Sequence, residues 1–146
     1  MTDNTKSDSS QLTIIEQLFY TLKQDGIEAS LEKHVNPDAV FIGVREEKSD
    51  HIPIYGSYAG HSQITRFFDT LNSCFDTHVF EINHSFQDDT IAIATGYFHH
   101  KTRLTSRDFR SHWACLCHLG NGKISQYRFY EDTAALEASL TPFPNL

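Results

Sequence analysis

The stretch that decides the fold is Gly122-Lys123-Ile124-Ser125-Gln126-Tyr127-Arg128-Phe129-Tyr130-Glu131-Asp132-Thr133. Its side chains alternate with the two-residue period of a half-buried strand. Asn121-Gly122 stands just before it, and this dipeptide is the strongest short hairpin signal, because both central residues of a type I′ turn need positive φ. Three earlier runs alternate in the same way, at about 78–87, 90–101 and 108–119, the first two joined at Asp88-Asp89. Four consecutive strands therefore form a meander. After Asp132, Thr133 to Leu140 reads as a short terminal helix, and Pro142 and Pro144 end the structured part.

Working back toward the N-terminus, Leu12 to Gln24 has apolar residues at 12, 14, 15, 18, 19 and 22, a helical stripe ended by Asp25-Gly26. Ile27 to His34 reads as a second short helix, with Leu31 and Val35 facing inward and Asn36-Pro37 as the breaker. Ala39 to Arg45 reads as the first strand. Glu46 to Ser57 is a long loop of the kind that overhangs a pocket. Gly60-His61-Ser62 opens a third helix, with Ser62 as its N-cap and apolar positions at 64, 67, 68, 71 and 75. Helices, a strand, a helix and then a meander make an α+β domain with helices packed on one sheet face. Residues 1–10 read as a disordered lead-in and 11–141 as one domain.

At 146 residues the chain can bury a substantial core. Eleven Phe, six Tyr and one Trp favour sheet and supply walls for an apolar cavity. The formal charge is -7, with no basic patch interleaved with aromatics, which argues against a nucleic-acid partner. No apolar run is long enough for a membrane span, and the polar N-terminus has no signal core, so a cytoplasmic protein is expected. Cys74, Cys115 and Cys117 make no C-x-x-C motif and are expected to be reduced, buried and structural.

Regular alternation from the Asn121-Gly122 turn sets Leu119 opposite Ile124, Cys115 opposite Arg128 and Trp113 opposite Tyr130. It groups Trp113, Cys115 and Cys117 with Gln126, Arg128, Tyr130 and Asp132. The other face then holds His112, Ala114, Leu116 and His118 with Tyr127, Phe129 and Glu131. With Asp88-Asp89 as the other turn, His84 faces Ile93, Phe80 faces Tyr97 and His78 faces His99. The register across 102–107 is left open.

Several segments in this order resemble the SnoaL-like branch of the NTF2-like superfamily, which includes ketosteroid isomerases, limonene epoxide hydrolases and polyketide cyclases. They are Tyr55-Gly56-x-Tyr58-x-Gly60, Ile64-x-x-Phe67-Phe68, Trp113, Gly122-Lys123-Ile124 and Arg128-x-Tyr130-x-Asp132-Thr133. The resemblance covers roughly residues 12–140. It implies a cone, a curved and mostly antiparallel sheet wrapped around N-terminal helices with an internal apolar pocket. It also implies a homodimer formed through the outer sheet face.

The resemblance further implies that the pocket side of the last strand is Tyr127, Phe129 and Glu131. His112, Ala114 and Leu116 would precede them, then Tyr97 and His99. The remaining ligand-binding residues implied are Phe41, Tyr55, Tyr58 and Phe68. The positions of the ketosteroid isomerase base and oxyanion Asp fall at Gly43 and Ala114, and the second Asp of the epoxide hydrolases falls at Phe129. Neither chemistry is therefore expected.

An enzyme of this type would do proton-transfer work (cyclisation, isomerisation or hydration) on a small apolar ligand. His112, Tyr97 and Asp132 are the candidates to carry it. Imidazole titrates near neutrality, a Tyr–His pair can polarise a carbonyl, and Asp132 lies close to the polyketide cyclase acid/base position. Asp132 also has the simpler reading of a helix N-cap. The alternative function is a non-catalytic ligand-binding or dimeric accessory domain. His99 and His100 point to opposite faces of one strand and cannot chelate together, and no metal-ligand spacing occurs, so no metal and no cofactor is expected.

Overall fold

The chain is described for residues 12–141 in a computed structural model. The expected lead-in at 1–10 and the prolines at 142 and 144 lie outside the described residues. Helix α1 (Ile14–Asp25) starts at a capping box. The Thr13 hydroxyl accepts from the Glu16 N–H, and the Glu16 carboxylate accepts from the Thr13 N–H at 2.9 Å. Two otherwise orphaned donors are thereby satisfied. Its stripe buries Ile14, Ile15 and Leu18. Helix α2 (Ile27–His34) covers the predicted residues, with Leu31 and the following Val35 buried.

Strand β1 (Val35–Ile42) begins earlier than its sequence reading. Its pairing shifts between Val35 and Val40, so Pro37, which has no N–H to donate, falls at an irregularity where none is needed. The segment 46–56 then leads to a short strand, β2 (Ser57–Ala59), and helix α3 (Gly60–Cys74) follows at once. Ser62 is inside this helix rather than at its N-cap. Ala59 is the cap residue, and its N–H donates to Oε1 of Gln63 at 2.8 Å. Strands β3 (Phe75–Gln87), β4 (Ile91–Thr102), β5 (Asp108–Gly120) and β6 (Lys123–Tyr130) are the meander, and α4 (Thr133–Leu140) closes the chain.

The six strands form one curved sheet in the order β2-β1-β6-β5-β4-β3, antiparallel throughout except that β1 and β6 run parallel. The helices pack on its concave side. The architecture is the expected α+β cone.

The register departs from regular alternation at one decisive place. The turn is as read, with Asn121 at φ 54° and Gly122 at φ 79°, and Leu119 does pair with Ile124. His118 then pairs with Gln126, leaving Ser125 as an extra residue, a β-bulge. The Ser125 hydroxyl donates to the His118 carbonyl at 3.1 Å. Beyond the bulge Cys117 faces Tyr127, Cys115 faces Phe129 and Ala114 faces Tyr130.

One inserted residue thus inverts the face assignment between the two strands. Trp113, Cys115 and Cys117 share the concave face with Tyr127 and Phe129, while His112, Ala114 and Leu116 are on the convex face. Strand β4 follows suit. Ala92, Ala94 and Phe98 are buried, whereas Tyr97 and His99 are convex. In the β3–β4 hairpin the turn residues are Asp89-Thr90, and further bulges at His78 and Asn83 shift the pairing. His84 consequently faces Thr95, and Phe80 faces Phe98.

Candidate functional site

A cavity of about 150 Å³ lies between the concave sheet face and the helices. Helix α3 contributes Phe67, Phe68, Leu71 and Asn72, while α1 contributes Phe19. The sheet contributes Phe75, Thr77 and Phe80 from β3, His100 from β4, and Tyr127 and Phe129 from β6, with Glu131 just past the strand end. Gly43, Val44 and Ile54 close the remaining side. The walls interlock. Phe129 stacks on Trp113 at 5.1 Å between ring centroids, Trp113 on Phe80 at 5.1 Å, and Tyr127 on Phe41 at 4.2 Å. Such stacked contacts add to the stabilisation from burial alone.

Two ionisable groups in this apolar lining are held neutral near pH 7. Glu131 as a residue is half-buried, but its Oε2 is sealed from solvent and meets no hydrogen-bond donor. Burial pushes its carboxyl up to about 8, and the neighbouring charge of Asp132 adds to this. His100 sits among Phe75, Phe98 and Phe109, and its Nδ1 is 3.0 Å from the Thr77 hydroxyl. Burial, then the nearby His99 and His78, lower it to about 4. The Tyr127 phenol is also raised, first by burial and then by Cys115 and Cys117. Cys115 and Cys117 are buried free thiols 3.9 Å apart, as their sequence context suggested.

The rim carries a local strain. Val44 has φ 68°, uncommon for a β-branched residue, in a tight turn closed by the Arg45 N–H donating to the Gly43 carbonyl at 2.7 Å. A Cβ on Gly43 would overlap the Ile54 carbonyl oxygen. The position that the resemblance gives to an isomerase base therefore has no room for any side chain while the 46–56 segment is in place.

The predicted residues separate into three groups. Phe68, Tyr127, Phe129 and Glu131 line the cavity. Phe41 is behind its wall, stacked on Tyr127, and Tyr58 packs on Phe67 with its hydroxyl donating to the Ile54 carbonyl at 3.1 Å. Tyr55 lies away from the cavity, its hydroxyl donating to Oε2 of Glu137 at 2.9 Å.

His112, Tyr97, His99, Ala114 and Leu116 are on the opposite face of the sheet, displaced by the bulge. Tyr97 and His112 do pair across strands with rings 5.3 Å apart, but outside the cone. His78 and His99 also meet there, 5.2 Å apart, with His99 bonded to Asp108 at 2.8 Å. Among the described residues, no group of three metal-ligating side chains is assembled. Asp132 caps α4, accepting from the Ala135 N–H at 3.0 Å. Sequence reading missed His100, Thr77 and Phe19. No pattern marks them, since His100 looks the same as His99 until the register is known.

A SnoaL-like domain family model matches residues 15–127. Solved structures share the fold. An NTF2-like protein from Burkholderia xenovorans superposes with TM-score 0.76 at 18% identity, covering 88% of this chain and 93% of that one. A protein of ketosteroid isomerase-like fold from Catenulispora acidiphila, solved with trimethylamine, gives 0.68 at 13% identity over 90% and 96%. TerC, co-crystallised with polyporic acid, gives 0.72 at 16% over 87% and 95%. No curated protein matches the sequence.

Proposed function

We propose, for a chain that belongs to the SnoaL-like family, that the cone binds a small, largely apolar molecule and transfers a proton to it from Glu131. The observation that carries this reading is Glu131, which lines an aromatic cavity and has a buried Oε2 with no hydrogen-bond partner. A carboxyl kept protonated at neutral pH by an apolar pocket is a general acid, able to donate to a developing negative charge on a ligand oxygen. Thr77, His100 and Asn72 add polar groups to the same lining, which favours chemistry over passive storage. Neutral His100, fixed through Thr77, orients the ligand. The catalytic roles first expected of His112 and Tyr97 pass to Glu131 and His100.

The test is turnover or binding across a panel of steroid, terpenoid and polyketide-derived ketones, comparing wild type with Glu131→Gln. Loss of turnover with binding retained is expected. Equal turnover in both would remove Glu131 from the chemistry and leave the non-catalytic binding domain as the reading.

The convex face is assigned to a second copy of the chain, supported by the exposed Phe86, Ile93 and Tyr130.

A further inference from the structure

We infer that the cavity is built for an uncharged, single-ring carbonyl compound, a cyclic or aryl ketone, whose oxygen accepts from Glu131. This rests on the cavity being the ligand site, as proposed above, and narrows what enters it. The first argument is size. A largely apolar space of about 150 Å³ accommodates a benzene-sized body. Drug-sized ligands occupy sites of roughly 300 Å³ or more, so a fused four-ring skeleton exceeds this space.

The second argument is shape. Phe67, Phe68, Phe129 and Phe80 line the void, and aromatic walls suit a flat guest. The third is polarity. Glu131 Oε2 is a buried polar atom that no protein group satisfies, and a protonated carboxyl there offers one O–H donor. A carbonyl oxygen supplies the missing acceptor at the cost of only one desolvated polar atom on the ligand.

The fourth is charge. The ionisable groups around Glu131 are Asp132 next in the chain, Tyr127 on the same strand and His100 on β4, while His84 on β3 and His112 on β5 share with it a separate, open depression outside the cavity. Helices α1 and α3 and residues Gly43, Val44 and Ile54 bring no ionisable side chain to the lining. His100 is neutral above about pH 4, and Glu131 is neutral below about pH 8. An ionic ligand would therefore enter without a counter-charge.

The experiment measures binding of cyclohexanone and acetophenone by calorimetry and by fluorescence of Trp113, the only tryptophan, at pH 6, 7 and 9. Androst-4-ene-3,17-dione and trimethylamine are the comparison probes, and Glu131→Gln and Glu131→Leu the variants. Wild type is expected to bind the single-ring ketones with affinity falling about tenfold from pH 7 to 9, as the donor ionises. Glu131→Gln keeps a donor and should bind without that fall, while Glu131→Leu should bind at least about tenfold more weakly at pH 7.

Tighter binding of the steroid than of acetophenone overturns the size argument. Affinity for trimethylamine at pH 6 and 7, where Glu131 is neutral, that matches the affinity for acetophenone overturns the charge argument. Wild-type ketone binding that does not change with pH overturns the role of Glu131 as donor, whatever the variants do. If no probe of any kind binds, the cavity is not the ligand site and the functional reading fails with it.

Discussion

Glu131 and His100 titrate in the opposite order from the same groups in water. Burial raises Glu131 above its unfolded value, so between roughly pH 4.5 and 8 the folded state holds a proton the unfolded chain has lost. Stability therefore falls as pH rises through that window, by a few kcal/mol at most. Glu131→Gln removes this dependence, and its stability relative to wild type should improve from pH 5 to pH 9 in denaturant melts. An unchanged difference would mean that Glu131 is ionised in the fold. His112→Ala, outside the cone, should leave ligand binding and turnover intact. Gly43→Ala should cost about 2 kcal/mol, because the Ile54 carbonyl is backbone and cannot rotate away. A fully stable Gly43→Ala would show that the 46–56 segment moves easily.

At the scale of elements, the helices, the strands other than the three-residue β2 and the Asn121-Gly122 turn were legible because each has a period or a punctuation mark. The four-strand meander, α2 and α4 all follow from alternation, Asn121-Gly122 and Asn36-Pro37. The bulges were not legible. Ser125 is an ordinary strand-compatible residue, and nothing in composition separates a bulged position from a paired one. That single gap put His112, Ala114 and Leu116 on the wrong side while leaving Tyr127, Phe129 and Glu131 correct, since those were placed by family pattern rather than by pairing.

Asp132 shows the opposite case, where the local signal was sufficient and the capping role is visible. Asp132→Ala should lose about 1 kcal/mol through the cap and lower the melting temperature without abolishing ketone binding. It should also relax the Glu131 carboxyl toward its ordinary range by removing an adjacent charge.

For the whole molecule, the two cavity groups set opposing slopes. His100 resists protonation, so stability also declines as pH falls from about 6.5 toward 4, and lowered His34 acts in the same sense. The two windows overlap between about pH 4.5 and 6.5, where the slopes offset one another, so folding stability should be highest in that mildly acidic range, as read by melting temperature against pH. A steady rise to pH 9 would contradict the Glu131 assignment. The convex face gives a test of assembly. Phe86 is 68% exposed and Ile93 41% exposed, an apolar presentation that suits burial against a second copy. Ile93→Lys should halve the mass seen by light scattering, and a wild-type protein already monomeric would dismiss the pairing. Among the described residues, no helix is long and apolar enough to cross a membrane.

The extra residue at Ser125 behaves like a frameshift written in space. Anyone transplanting a catalytic side chain into this scaffold from an unbulged relative would count along the strand and choose Ala114 or His112, and the graft would end up in solvent. The positions open to such engineering on β5 are Cys115 and Cys117, whose side chains already point to the interior face. New chemistry in this cone has to be installed by the bulged register, one residue away from where regular pairing would put it.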